Sequence, residues 1–395
     1  MIELLKRGKQ TQFGINVCCD IAFVLYGWEQ GVFGPILENE NWLDLFNHPS
    51  DSQTGIIVSC YNLGCLLGCV LVFLLSEMLG RRRTLWLGVG SITVGTALQI
   101  SSYTLPHLIV GRIITGVATG IKTSTVPAWQ SELCPPVSRG RLISSDVMFV
   151  GIGTVLSYWF NFGMSYVDGP ISWRFPISMQ IVFTIINSPF IVSEKTIILQ
   201  ALELEKSAGD PNKSFFSVFK KDQLQTRYRI FLAWCIQFMN QASGIVLVVY
   251  YLPTILKENI GLPHRTALIV PGFAICMFVL GGIWPATRLD HMGRRKTMMW
   301  GSSALSTCML FIAALLSQAD GGATSRGTTF ASASVAFFFL YLLAFGASVN
   351  CVPWVFVPEI LPLQARARGT AIGVSSNWLW NFTVAMISPV VLNRL

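Results

Sequence analysis

Charge is scarce in this chain. Of its 395 residues only 12% are Asp, Glu, Lys or Arg, about half the share of an average soluble domain. Histidine occurs four times, too dispersed to gather round a metal. The ten cysteines lie mostly inside apolar segments, among them Cys18, Cys19, Cys60, Cys65 and Cys69, without metal-ligand or redox spacing. They read as reduced thiols acting as small buried hydrophobes. No nucleophile–base pair, phosphate-binding loop or metal constellation stands out, so neither an enzyme nor a cofactor is expected. What fills the sequence is apolar: 52% hydrophobic residues, 26 Phe, 12 Trp and a mean hydropathy of +0.56. A soluble fold has no means of hiding that much apolar surface, so lipid must cover it, and the chain reads as an all-α polytopic membrane protein. The opening "MIELLKRGKQTQFG" is basic, but the apolar run behind it is too long for a signal peptide.

Apolar runs of spanning length fall at about 13–37, 54–76, 84–104, 107–129, 142–166 and 173–193, then at about 228–256, 266–288, 297–318, 331–357 and 369–392. A polar stretch separates the two sets. Its first part suits a short surface helix, which "SAGDPNKS" breaks. The chain therefore divides into a first bundle of six spans (1–193), a linker (194–227) and a second bundle of five (228–395). With the N-terminus inside, cytoplasmic segments collect 21 of the 28 Lys and Arg, the bias that sets membrane orientation. The net charge of +8 is thus a topology signal and gives no reason to invoke nucleic acid.

The two sets echo each other. "LGRRRTLWLG" around Gly80 returns as "MGRRKTMMWG" around Gly293, and "VPAWQSELCPPVSRG" returns as "VPWVFVPEILPLQARARG". In the second pair Glu132 precedes Arg139 by the same seven residues that separate Glu359 from Arg366. Two motifs at nearly one offset indicate a parallel repeat of the kind that transporters carry.

Within the first span, "GWEQGVFGPIL" places Glu29 among glycines, although a charge in hydrocarbon costs at least ~2.5–3.5 kcal/mol. Glu29 lies ~12 Å from the outer end of its span and Arg112, in the fourth, ~8 Å from its own, at ~1.5 Å per residue. Burial disfavours a carboxylate and a nearby guanidinium favours it, so motion that separates the two would switch Glu29 between forms. A static structural pair is the plainer reading. Gly27, Gly31, Gly34 and Pro35 leave open a locally broken helix or close packing of small residues. Lys122, also within a span, leaves two readings open: a side chain snorkelling toward the cytoplasm or a private substitution in a decaying gene.

With "GWEQGVFG", the two Gly-Arg-Arg loops, "VGRIITG", "QFMNQASGI", "YYLPTIL", "VPWVFVPEILP" and "SNWLWNF" in this order, the chain resembles a fungal-type sugar porter of the major facilitator superfamily. The resemblance implies two pseudo-symmetric six-helix bundles rocking about a central site, the second here truncated to five. It implies a sugar or polyol as cargo, carried by a monomer in the plasma membrane. Proton-coupled members pair an Asp of the first helix with an Arg of the fourth, which maps the coupling onto Glu29 and Arg112. Asn240, Gln241, Trp354, Asn377 and Trp378 become the substrate site. Glu77, Arg81, Glu132, Arg139, Asp290, Arg294, Glu359 and Arg366 become a cytoplasmic gate. Three departures stand out: no twelfth span follows 369–392, the Pro-Glu-Ser-Pro-Arg-Trp stretch after the sixth is missing, and the polar cage is thin. The chain as written is therefore expected to transport poorly and to end outside.

Overall fold

The structure, a computed structural model, describes residues 2–133, 139–192, 223–258, 263–318, 325–362 and 365–392. The described residues form helices and turns and no strand. In chain order the helices are α1 (Ile2–Ile36), α2 (Glu40–Leu45), α3 (Asp51–Ile100), α4 (Leu105–Leu133), α5 (Arg139–Met164), α6 (Ile171–Val192), α7 (Thr226–Ala242), α8 (Ile245–Glu258), α9 (His264–Met292), α10 (Arg294–Leu316), α11 (Ser325–Ala347), α12 (Cys351–Ile360) and α13 (Arg366–Leu392). They make eleven crossings, because α3 turns back on itself at Gly80 and the pairs α7/α8 and α11/α12 each form one interrupted crossing. Six of these segments are apolar enough to span by composition alone, and α1, α4, α6 and α13 are not among them. The expected surface helix of the linker falls outside the described residues.

The repeat seen in the sequence has a backbone cause. Gly80 (φ 72°) and Gly293 (φ 77°) both sit at the sharp turn between two crossings, in the left-handed region that a side chain resists. Gly244 (φ 91°) does the same between α7 and α8.

In lipid, helices associate by close packing rather than by hydrophobic exclusion, so small residues set the contacts. The α3–α4 contact shows this in full. A Cβ on Gly64 or Gly68 would strike the backbone of α4 at Ile113 or Val117, and one on Gly116 or Gly120 would strike α3 at Tyr61 or Cys65. Two small-xxx-small ridges thus face one another. The glycines round Glu29 work the same way: Gly27 rests on the Val150 carbonyl of α5 and Gly31 on Thr154 and Ser157. Of the two readings left open for that stretch, close packing is the outcome, and α1 runs unbroken to Ile36.

The two halves meet where α13 packs on α3 and α9 on α5. On the α2 face, Trp28, Val32, Phe33 and Ile36 join Val248, Tyr251 and Ile255 in one apolar cluster. Toward the Gly80/Gly293 face, Phe23, Tyr26 and Trp129 join Trp354 and Trp378 in another.

The α3–α4 ridge gives a stability prediction. Gly120→Leu should destabilise by about 1–3 kcal/mol, as overpacking does, and lower the thermal melting point of the purified protein. Gly90→Leu, at a position with open space round its Cβ, should leave it unchanged.

Candidate functional site

A cavity lies between the halves, midway between the two apolar clusters, with about 60 Å³ of space for the centres of water-sized molecules. At about 10–15 Å³ per water by that measure, it has room for a few waters and none for a sugar ring. The first half supplies Tyr26, Gln30 and Thr154 to its wall; the second supplies Asn240, Gln241, Asn350, Trp354, Asn377 and Asn381.

Two helix breaks build the second-half wall. The interruption between α11 and α12 frees the Val349 carbonyl, and the Asn240 side chain donates to it at 2.9 Å. The interruption between α7 and α8 frees the Ser243 carbonyl, and the Tyr341 hydroxyl of α11 donates to that at 2.9 Å. Each crossing thus satisfies the other's exposed backbone, as irregular backbone at membrane depth requires. Asn240 and Gln241 end up beside the break, where Gln241 Nε2 donates to Asn377 Oδ1 at 2.6 Å and to Asn240 Oδ1 at 3.2 Å.

Four buried polar atoms on the wall have no partner in the protein: the acceptors Gln241 Oε1 and Asn381 Oδ1, and the donors Gln30 Nε2 and Asn377 Nδ2. Buried polar groups are normally hydrogen-bonded, so an unpaired set on a cavity wall points to a ligand or water. Both donors and acceptors are present, which suits hydroxyl groups, each able to give and receive.

Trp354 lies on the wall, its ring edge-on to Phe23 at 6.0 Å between centroids. Trp378, expected beside it, is set back from the cavity in this closed arrangement. It is fully buried behind Tyr26 and Tyr61, and its indole N–H reaches Thr123 of α4 at 3.3 Å.

Glu29 and Arg112 are each only 1% exposed, yet they form no ion pair. Both Glu29 oxygens are buried without a hydrogen-bond partner. Arg112 instead donates Nε to the Ile57 carbonyl at 2.7 Å and Nη2 to that of Val58 at 3.4 Å, with its guanidinium 3.6 Å over the Phe33 ring. Phe33 is one helical turn beyond Glu29, which explains why the two charges share a region without touching. Lys122 does not snorkel: it is 4% exposed and its Nζ is buried without a partner. Spacing along one helix does not show this, because the lean of a side chain depends on which neighbours leave room.

On the Gly80/Gly293 face, Arg81 Nη2 binds Glu132 Oε1 at 3.0 Å. In the repeat, Arg294 binds Asp290 at 2.9 Å and grips both oxygens of Glu359, at 2.9 and 3.3 Å, a fork geometry stronger than a single contact. Gly140, at the start of α5, lies directly against Asp290 and Arg294, so a first-half backbone touches the second-half cluster. Arg366 is buried. The side chains of Glu77 and Arg139 lie outside the described residues.

On the α2 face the halves are tied through α8. Lys257 Nζ meets Glu38 Oε2 at 2.7 Å, Thr254 donates to Glu38 Oε1 at 3.0 Å, and Tyr250 donates to Gln30 Oε1 at 2.6 Å. Tyr158 of α5 donates to the Val249 carbonyl. Sequence reading missed Gln30, Tyr26 and Tyr250; Gln30 stands next to Glu29, and adjacency to a buried acid was the available signal.

This geometry has relatives. An MFS-type transporter, oryC, of Aspergillus oryzae is 33% identical over 443 residues, covering 100% of this chain and 82% of that protein. The sugar transporter STL1 of Saccharomyces cerevisiae is 28% identical, covering 98% and 75%. The solved structure of XylE, the proton:xylose symporter of E. coli, bound to 6-bromo-6-deoxy-D-glucose superposes with a TM-score of 0.80 at 19% identity, over 98% of this chain and 90% of that one, a likeness of fold. The profile of the sugar (and other) transporter family matches residues 15–193 and 192–395. The chain is a multi-pass membrane protein that belongs to this family of the major facilitator superfamily.

Proposed function

We propose that the protein carries a sugar or polyol across the plasma membrane by alternating access, as a monomer, with a proton as co-substrate. The observation that carries this is the cavity wall: two unpaired donors and two unpaired acceptors, drawn from both halves, beside Trp354 and one residue along α1 from the bare, buried carboxyl of Glu29. The names of relatives, a sugar transporter and a proton:xylose symporter, agree with that cargo. The Lys and Arg bias supports a cytoplasmic N-terminus, which makes the Gly80/Gly293 face cytoplasmic.

In this reading the structure is an occluded state. The contacts of Glu38 and Gln30 close the outer side and the Trp354–Trp378 layer closes the inner one. Opening outward parts α8 from α1. Opening inward parts Trp354 and Trp378 from Phe23 and Tyr26, and releases the arginine–carboxylate clusters of Arg81, Glu132, Arg139, Asp290, Arg294, Glu359 and Arg366, with Glu77 beside them. Glu29 takes its proton when outer water reaches it and gives it up inside. Protonation neutralises a carboxylate that has no partner in the closed state, so the loaded carrier is the one able to close.

Three outcomes follow. Glu29→Gln should abolish accumulation against an imposed proton gradient while preserving exchange of labelled solute between equilibrated sides; undiminished accumulation would make the protein a proton-independent facilitator. Trp354→Ala should raise the half-saturation concentration about two- to twelvefold, as loss of ~0.5–1.5 kcal/mol of ring contact implies, with surface expression unchanged. Glu359→Gln should make a cysteine placed at the cavity wall more reactive to a thiol reagent applied from the cytoplasmic side; equal reactivity would remove Glu359 from the gate.

A further inference from the structure

The outer surface of the second half carries a groove with about 460 Å³ of space for the centres of water-sized molecules. Its walls are α9, with Leu280, Trp284 and Met292, and α10, with Trp300; its floor is Leu343 and Ala347 of α11. The groove has a packing cause. Gly281 lets α9 rest on the Leu343 carbonyl of α11, and α10 packs on α11 as well, while α9 and α10 hardly touch one another. A cleft is left between them, with Leu280, Trp284 and Trp300 exposed along it. On α9 it runs from Met292, at the Gly293 turn, to Leu280, ~20 Å away at ~1.5 Å per residue. That matches the depth of one leaflet with its headgroups, half of ~40–45 Å.

The two walls carry the same arrangement of side chains. On α9 Arg288 lies one turn nearer the Gly293 end than Trp284, with its guanidinium 5.3 Å from the centroid of that indole. On α10 Lys296 lies one turn nearer the same end than Trp300, at the spacing that shares a helix face, and Arg295 adjoins it. Arg288, Arg295 and Lys296 are exposed and make no ion pair or side-chain hydrogen bond among the described residues. The nearby carboxylates, Asp290 and Glu359, are both taken by Arg294. The apolar cleft therefore ends in two tryptophans, side chains that favour the membrane interface. Beyond them stand three cations whose donors are free.

We propose that this groove binds one anionic phospholipid. An acyl chain lies along Leu280, Leu343 and Ala347 between the two indoles, and the phosphate and its anionic headgroup meet Arg288, Arg295 and Lys296. Charge selects this occupant. A zwitterionic headgroup leaves the three cations without a net counter-charge, and a second copy of the chain docked by the same face would set them against their own kind. In the orientation argued above this is the cytoplasmic leaflet, the one that holds anionic lipid. The site is independent of the cargo and of Glu29. Its floor ends at Ala347, where α11 gives way to the turn before α12, so a bound chain reaches the residue beside that interruption.

The test uses the full chain, delipidated in detergent, in native mass spectrometry with palmitoyl-oleoyl phosphatidylserine or the matching phosphatidylcholine. Each Lys or Arg near a lipid surface contributes about fivefold in affinity for anionic lipid, so phosphatidylserine should bind at least about tenfold more tightly than phosphatidylcholine. Arg288→Ala/Arg295→Ala/Lys296→Ala should bring the two within about twofold of each other. Arg82→Ala/Arg83→Ala, at the corresponding turn of the first half, should keep the preference; an equal loss there would mean general charge attraction and overturn the site. Phosphatidylserine with a diazirine in its acyl chain locates that chain by photo-crosslinking, and label should concentrate on Trp284, Trp300 and Ala347. Label no denser there than at Val94 or Ile186, exposed elsewhere on the apolar surface, would mean unselective surrounding lipid and sink the proposal. A two-chain species that shields the groove from label would assign it to a second copy and do the same. None of these readouts involves transport, so they fail or succeed separately from the reading of cargo and proton.

Discussion

Inside a bilayer, polar groups have only one another. Water is not there to absorb an unpaired carbonyl, amide or charge, and each one left bare costs free energy. Much of this architecture follows from that. Long helices bond their own backbones, glycine ridges bring α3 and α4 into direct backbone contact, and threonine and serine hydroxyls turn back on the preceding turn of their own helix, as Thr123 does on Thr119 and Ser144 on Gly140. Where the backbone must break, a side chain from the partner crossing replaces the missing bond.

Those breaks lie beside the cavity. Asn240 and Tyr341 each bond a carbonyl freed in the other interrupted crossing, so α7/α8 and α11/α12 are locked as a unit. The lock aims Gln241, Asn350 and Trp354 at one point without leaving their backbones unsatisfied. It also leaves α8 and α12 as short segments that begin just after Gly244 and the 348–350 turn. The places where satisfaction stops are then informative. Gln241, Asn377, Asn381 and Gln30 keep unpaired atoms on the wall, and Glu29 and Lys122 keep unpaired atoms away from it.

The closures at the two ends of the cavity differ in kind. On the α2 face an ion pair from Lys257 and the hydroxyls of Thr254, Tyr250 and Tyr158 lie beside an apolar cluster of Trp28, Val32, Phe33, Val248 and Ile255. On the other side the closures are aromatic layers, with arginine–carboxylate clusters below them. Edge-to-face rings contribute ~0.5–1.5 kcal/mol beyond their burial, whereas a surface ion pair is worth about 0–1 kcal/mol.

The sequence by itself determined the fold class, the crossings found among the described residues and the repeat. Apolar run length, Lys and Arg placement and paired Gly-Arg-Arg motifs are local signals that survive without coordinates. It also marked Gln241, Trp354 and Asn377, because motif order fixes register along a helix. Only the tertiary structure decided where the helices break. The glycines near Glu29 looked like a break and serve as a packing seam against α5, since small residues permit either and the neighbour chooses. It likewise decided that Trp378 stands behind the wall, that Arg112 answers to Ile57 and Val58 instead of Glu29, and that Lys122 turns inward. These are questions of which atom on another helix lies within ~3 Å, and spacing along one helix does not contain that information.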